Sequence, residues 1–119
     1  MQASLPPDEA DRLAALENLK ITDTQDDDSF DRIIRLACAA MATPKGAISF
    51  VEDERQWLKA RQNIDFAETP RREAFCAHAL LSDDVLVVED ATKDPRFSDN
   101  PLVTCDDGIR FYAGAPLKT

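Results

Sequence analysis

The sequence has little glycine, little histidine and no paired cysteines. Three glycines in 119 residues leave no glycine-rich loop for phosphate, and the HExxH and GxSxG motifs are absent. One histidine and three cysteines at unrelated spacings, without a CxxC pair, predict reduced thiols. A structural zinc normally takes four Cys or His ligands, and the four candidates here are spread across segments of different predicted structure, so we expect no metal site. The sequence leaves the identity of any cofactor unknown.

Long apolar runs and positive charge are also scarce. No segment approaches the roughly 20 apolar residues that cross a bilayer, and the start, MQASLPPDEADRL, lacks the features of a signal peptide. The chain has 14 Lys and Arg against 23 Asp and Glu, a formal net charge of -9. Because nucleic acids and anionic lipids are bound through their phosphates, we expect neither as a partner. These features predict a cytoplasmic protein.

The length and the apolar content are those of one folded domain. Hydrophobic residues make up 44% of the chain and charged residues 31%, which is typical of a globular protein. We expect a single domain over residues 1–119, with residues 1–7 as a disordered tail. The short acidic run DDDS and its neighbours favour a turn, because Asp and Ser side chains bond their own backbone.

The periodicity of apolar residues predicts an α+β fold. An early hairpin favours antiparallel pairing, and side-chain alternation places Trp57, Lys59 and Arg61 on one face of its second strand. In the helix that follows, Thr69 is the expected cap and Pro70 the first residue. The predicted order is a helix over 8–19, a helix from Ser29 to Pro44, strands over 47–51 and 56–61, a helix over 70–81, a strand over 85–90, a long loop, and a strand over 109–117.

Five phrases in a fixed order give a specific resemblance. They are FDRIIRLA, AISFVEDERQWLKAR, TPRREAFCAHALL, LVVEDATKDPRFSDNPLV and IRFYAGAPL, and together they resemble the GAF family of small-molecule sensor domains. The resemblance is to the GAF domains found ahead of bacterial histidine kinases and diguanylate cyclases. It implies a central antiparallel sheet with helices on both faces, of the GAF/PAS-like kind. Such domains usually continue into a further strand and a long helix, so we expect this one to be incomplete at its C-terminus.

The segment EAFCAHALL places Cys76 two residues before His78, the single histidine. In a helix, residues two apart point about 200° from each other, so the two side chains cannot meet as thiolate and base. We favour a structural role for both residues, as a packed histidine and a small buried hydrophobe. A ligand-facing His78 and a reactive Cys76 stay open as alternatives.

The resemblance implies a pocket between the sheet and the third helix. Lys59, Arg61 and Arg110, with Trp57, would suit a small organic anion, although a solvated strand face carries such residues equally often. We predict ligand binding by Phe50, Trp57, Lys59, Arg61, Phe75, Cys76, His78, Phe97, Arg110 and Tyr112.

The function that follows is a non-catalytic signal-transduction sensor. The resemblance implies a small-molecule ligand, a homodimer, and an attached or partner output domain such as a histidine kinase of a two-component system or a diguanylate cyclase. Two alternatives remain at this stage. One is a pocket-thiol enzyme resembling free methionine sulfoxide reductase, which would act through Cys76, and the other is a dimerisation scaffold.

Overall fold

A computed structural model describes residues 1–106 and 108–117. The described part contains four helices and five strands. The helices are α1 (Glu9–Leu19), α2 (Asp28–Met41), α3 (Phe75–Ala79) and α4 (Pro101–Thr104), and the strands are β1 (Gly46–Val51), β2 (Arg55–Gln62), β3 (Glu68–Pro70), β4 (Leu86–Val88) and β5 (Tyr112–Gly114). Short 3-10 turns cover Arg71–Glu73 and Ala91–Lys93.

Helix α2 packs one apolar edge on the sheet. Its N-cap is Asp27, whose carboxylate accepts a 2.8 Å hydrogen bond from the backbone N of Ser29. Ile34 and Cys38, four residues apart, are the buried pair that faces β1. At Gly46 an added Cβ would lie 2.6 Å from the Cys38 sulfur, so only glycine allows this close approach of helix and strand.

The first three strands form one antiparallel sheet in the order β1-β2-β3. Their register shifts between Ile48 and Ser49, which pair with Ala60 and Leu58, so Lys59 is an extra residue in β2. A one-residue insertion reverses the alternation of side chains beyond it. Regular alternation is therefore interrupted at Lys59. Arg61 is exposed and lines, with Lys59, a cleft between β2 and α2. The prediction that Trp57, Lys59 and Arg61 share one face stays a prediction.

The α+β class, the antiparallel pairing and the helices on both faces are confirmed. Helix α2 covers the face that carries Gly46, and α3 lies on the opposite face, where Ser49 contacts Cys76. Strands β4 and β5 pair with each other in a separate two-stranded ladder. In the described ranges the strands thus form two antiparallel ladders, of three and two strands.

The helix predicted over 70–81 is much shorter than expected. Thr69 and Pro70 belong to β3, where they pair with Gln56 and Arg55, and α3 begins only at Phe75. The fixed φ of proline suits a strand as well as a first helical turn, so the pairing with β2 decides the conformation. The next residue, Arg71, donates its backbone N–H to the Glu54 carbonyl, which holds this segment on the hairpin.

The last predicted strand is also shorter, because β5 covers only Tyr112–Gly114 of 109–117. The backbone N–H of Ile109 donates to the Leu102 carbonyl, and the Arg110 carbonyl accepts from Ala91 at 2.6 Å. These bonds tie residues 109 and 110 to the preceding loop. Strand alternation consequently begins later than the sequence pattern indicates.

Residues 1–7 run along the α3 side of the sheet. Pro6 is buried, and Ala3 packs against the cluster of Val51, Ala74 and Ala77. The disorder predicted for this segment stays a prediction. Within the described ranges, no helix has the length and apolar character needed to cross a membrane.

Helix α1 is fixed by a carboxylate held between two arginines. Glu9 accepts two hydrogen bonds from Arg12, at 2.9 and 3.0 Å, and two from Arg71, which is itself buried. The same guanidinium groups donate to the carbonyls of Val51 and Glu52 at the end of β1. The Arg71 and Arg12 hydrogen bonds lower the pKa of Glu9 to about 2.

Replacing Glu9 with Gln should destabilise the fold, because a buried guanidinium loses its anionic partner. We expect a loss of about 2 to 4 kcal/mol in the free energy of unfolding, measured by urea denaturation at pH 7. Since the folded-state pKa is lowered, the Glu9 contribution is present above pH 4.5 and is lost as the pH falls towards 2. Glu9→Gln should flatten the acid limb of the stability curve.

The matched control is Glu17→Gln, an exposed carboxyl on the same helix. A control variant as unstable as Glu9→Gln would contradict the role assigned to this ion pair.

Candidate functional site

The α3 face of the sheet carries a cluster of aromatic side chains from three different elements. Phe75 of α3 stacks on Phe97 of the long loop, with ring centroids 4.2 Å apart and planes 8° from parallel. Tyr112 of β5 lies 5.0 Å from Phe75, and His78 meets the Phe97 ring edge-on at 4.7 Å. Phe97 is 0% exposed, so the rings fill the space between α3 and the loop. We call this group, with Cys76, the aromatic cluster.

The loop over the aromatic cluster is held by its own polar side chains. Asp94 accepts from the backbone N of Arg96 at 2.9 Å and from its guanidinium at 2.7 Å, which lowers the pKa of Asp94. The Arg96 guanidinium lies 5.2 Å from the Phe97 ring centre. Asn100 caps α4 through Leu102 and donates to the Glu73 carbonyl at 2.9 Å. These contacts keep Phe97 pressed against α3.

The thiol of Cys76 lies between two hydroxyl groups. Its sulfur is 3.1 Å from Tyr112 Oη, and it accepts a hydrogen bond from Ser49 Oγ at 3.2 Å. Burial, and then the neighbouring Cys76, raise the pKa of Tyr112. Among the described residues no second sulfur contacts Cys76, since Cys38 packs on the opposite face of the sheet and Cys105 is exposed.

His78 points away from Cys76. Its Nε2 lies 3.0 Å from the Met1 carbonyl oxygen, and its ring touches Phe97. Burial is the main cause of a lowered pKa for His78, which favours the neutral imidazole. The helical geometry thus directs the thiol towards the strands and the imidazole towards the loop.

The structure brings together five of the ten predicted ligand-binding residues and separates the others. Phe75, Cys76, His78, Phe97 and Tyr112 form the aromatic cluster. Phe50 pairs with Trp57 on the α2 face, where Lys59 also lies. Arg61 is exposed and lines a cleft with Lys59, whereas Arg110 turns back to donate to the Val103 carbonyl at 2.8 Å. No aromatic floor with three cations is assembled by these described residues.

Lys59 takes part in a different constellation. Its ammonium donates to Thr24 Oγ1 at 2.7 Å and to the Gln25 carbonyl at 2.5 Å, and it lies 5.6 Å from the Phe30 ring centre. These three residues belong to the connector before α2 and to the first turn of that helix. Lys59 therefore ties the α1–α2 connector to the sheet.

A cleft of about 320 Å³ opens beside Lys59, between α2 and β2. Two of the predicted ligand-binding residues, Lys59 and Arg61, line it together. Its other charged side chains, Asp26, Asp31 and Arg35, were not predicted, since the acidic run that contains Asp26 was interpreted only as a turn. The signal available in the sequence was the spacing of Asp31 and Arg35, which are four residues apart and so lie on one side of the helix. A second cleft, of about 280 Å³, lies near Met1, Arg72 and Asp99.

No group of three or more His, Cys, Asp or Glu side chains that could hold a metal ion occurs in residues 1–106 and 108–117. The expectation that the chain binds no metal stays a prediction.

The aromatic cluster offers stacking surfaces, one neutral imidazole and a hydrogen-bonded thiol, which are groups suited to recognising an organic molecule.

Comparison with known proteins identifies the family. The sequence model of the GAF domain matches residues 27–119, and the chain belongs to the GAF domain family. It is also 45% identical, over 114 residues, to a cyclic di-GMP phosphodiesterase of Pseudomonas aeruginosa. That alignment covers 96% of this chain and 19% of the phosphodiesterase, so the chain spans about a fifth of the relative's length.

The raised pKa of Tyr112 can be measured directly, because it is the single tyrosine. In the folded protein we expect no phenolate absorbance near pH 10, the range in which an exposed tyrosine ionises. In urea the same phenol should titrate at about pH 10. Cys76→Ala should leave most of the shift, since burial is its main cause.

An ordinary tyrosine titration in the folded state would show that Tyr112 is open to water, and the packing described for the aromatic cluster would then be incorrect.

Proposed function

We propose that the chain is a non-catalytic sensor module that binds a small molecule and regulates an output domain. Two observations support this proposal. The chain belongs to the GAF family, and it aligns with a segment that makes up 19% of a cyclic di-GMP phosphodiesterase. The similarity falls on one part of a much longer enzyme. Among output domains it favours an enzyme of cyclic di-GMP turnover, a phosphodiesterase or a diguanylate cyclase, over a histidine kinase.

The ligand would bind at the α3 face by displacing Phe97. The ring stack closes that face, while the loop is fastened by a few polar contacts of Asp94 and Asn100. A ligand that stacks on Phe75 in place of Phe97 would favour the open loop. Regulation would then be a population shift between closed and open forms.

Catalysis by Cys76 is less well supported than regulation. A thiol reductase that ends its cycle in a disulfide needs a resolving cysteine, and Cys38 lies across the sheet from Cys76 while Cys105 is exposed. Cys76 is instead engaged by Ser49 and Tyr112. The three free cysteines agree with the reducing cytoplasm that we propose as the location.

The outer side of α2 supports a homodimer. An apolar stripe at helical spacing is exposed along this helix, and Leu36 within it is 68% exposed. The stripe is formed by Ile33, Leu36, Ala37, Ala40 and Met41. Because contiguous exposed apolar residues mark association sites, we place the dimer contact here.

Leu36→Glu should weaken the dimer, because it places a charge in the apolar contact. We expect at least a tenfold rise in the dimer dissociation constant, about 1.4 kcal/mol, in sedimentation equilibrium. The matched control is Val87→Glu, since Val87 is a 52% exposed aliphatic residue of β4. If both variants, or neither, changed the association, the contact would lie elsewhere.

The regulatory role is tested with the natural protein that carries this sequence. Metabolites would be screened by calorimetry, and hits would be added to assays of cyclic di-GMP hydrolysis and synthesis. We expect a bound metabolite to change output activity several-fold and Phe97→Leu to alter its affinity, with Phe111→Leu, an exposed phenylalanine, as control.

The chain by itself should hydrolyse no cyclic di-GMP and reduce no methionine sulfoxide. Turnover of methionine sulfoxide that disappears in Cys76→Ser would contradict the sensor role and support the pocket-thiol enzyme. If no bound metabolite changed the output activity, the chain would act as a dimerisation scaffold and not as a sensor.

A further inference from the structure

The cleft between α2 and β2 is separate from the aromatic cluster, because the β1–β2 hairpin lies between them. Its volume of about 320 Å³ is at the lower end of the range of small-molecule sites. Its walls combine apolar side chains, Ile34 and Ala60, with charged groups of both signs. The unusual feature is how those charges are partnered.

Lys59 is a buried cation without a matching anion. Lys59 is 5% exposed, and it takes part in none of the ion pairs within residues 1–106 and 108–117. The ammonium donates to two neutral oxygens, of Thr24 and Gln25, and has a third donor hydrogen. Burying a charge with incomplete compensation is costly, which favours an anionic group from a ligand.

Two acidic residues complete the cleft. Asp26 and Asp31 line it, and in the described part of the chain neither side chain forms an ion pair or a hydrogen bond. A carboxylate in this position repels a ligand that is only anionic and attracts a cationic group. Two exposed arginines, Arg35 and Arg61, line the cleft as well. The cleft therefore presents one buried cation, two exposed guanidinium groups and two carboxylates around a small apolar wall.

We propose that this cleft binds a small zwitterion of the α-amino acid class with an apolar side chain. The ligand carboxylate lies at Lys59, the ligand ammonium at Asp26 and Asp31, and its side chain against Ile34 and Ala60. Binding adds an anion to the contacts that fasten the α1–α2 connector to the sheet. The bound ligand thus stiffens the approach to α2.

The probe is L-leucine, compared with its two half-charged analogues, 4-methylpentanoate and 3-methylbutylamine. Each is titrated at constant ionic strength into the ¹⁵N-labelled protein, and amide shifts are followed by NMR. We expect saturable shifts at Thr24, Gln25, Lys59 and Ala60 with leucine, and binding of each analogue weaker by roughly tenfold or more. Shifts at Phe75 and Phe97 should stay small.

Two variants, one that removes a positive charge and one that removes a negative charge, test the roles of Lys59 and Asp31 one at a time. Lys59→Met should abolish leucine binding, whereas Lys45→Met, an exposed lysine outside the cleft, should leave it unchanged. Asp31→Asn should weaken leucine binding about two- to fivefold and strengthen binding of 4-methylpentanoate, because a repulsive charge is removed.

The Asp31 variant keeps the test decisive if Lys59→Met fails to fold. The proposal is overturned if leucine causes no shift in the connector, if 4-methylpentanoate binds as well as leucine, or if Asp31→Asn leaves both affinities unchanged. Any of these results would leave the regulatory role of the α3 face intact, because that role does not depend on this cleft.

Discussion

The register of the β1–β2 hairpin is the constraint on which the rest of the structure depends. One extra residue in β2, at Lys59, reverses the side-chain alternation between the two halves of the strand. It places Lys59 on the side of α2, where Arg61 also lines the cleft. The two faces of the hairpin then acquire different chemistry, a charged cleft under α2 and an aromatic cluster under the long loop.

The two faces differ in how they would respond to a ligand. The aromatic cluster is closed by the stack of Phe75 and Phe97, so binding there requires movement of a loop fastened by Asp94 and Asn100. The charged cleft is already open, and its central cation holds the connector that leads into α2. The exposed stripe of that helix, which includes Leu36, lies on its outer side. A change in the charged cleft therefore acts on the helix that carries the proposed dimer contact.

Much of the fold could be predicted because apolar periodicity reports burial. Helix α2 and the early hairpin were predicted from the sequence, and five phrases in order indicated the family. The failures have a common physical cause. Pro70 fits a strand or a helix start equally well, and only pairing with β2 selects the strand. The inserted residue at Lys59 has no local signal, because a bulge is set by the partner strand.

The candidate site was predictable only in part for the same reason. Cys76 and His78 could be separated from each other by helical geometry, whereas the approach of Tyr112 and Phe97 to Phe75 depends on tertiary contacts between distant segments.

Hydrogen exchange on the natural protein, with and without a metabolite that changes its output, tests the central claim most directly. The account predicts altered protection in both the ligand-binding face and α2. Protection that changes at the ligand site and stays constant along α2 would contradict it.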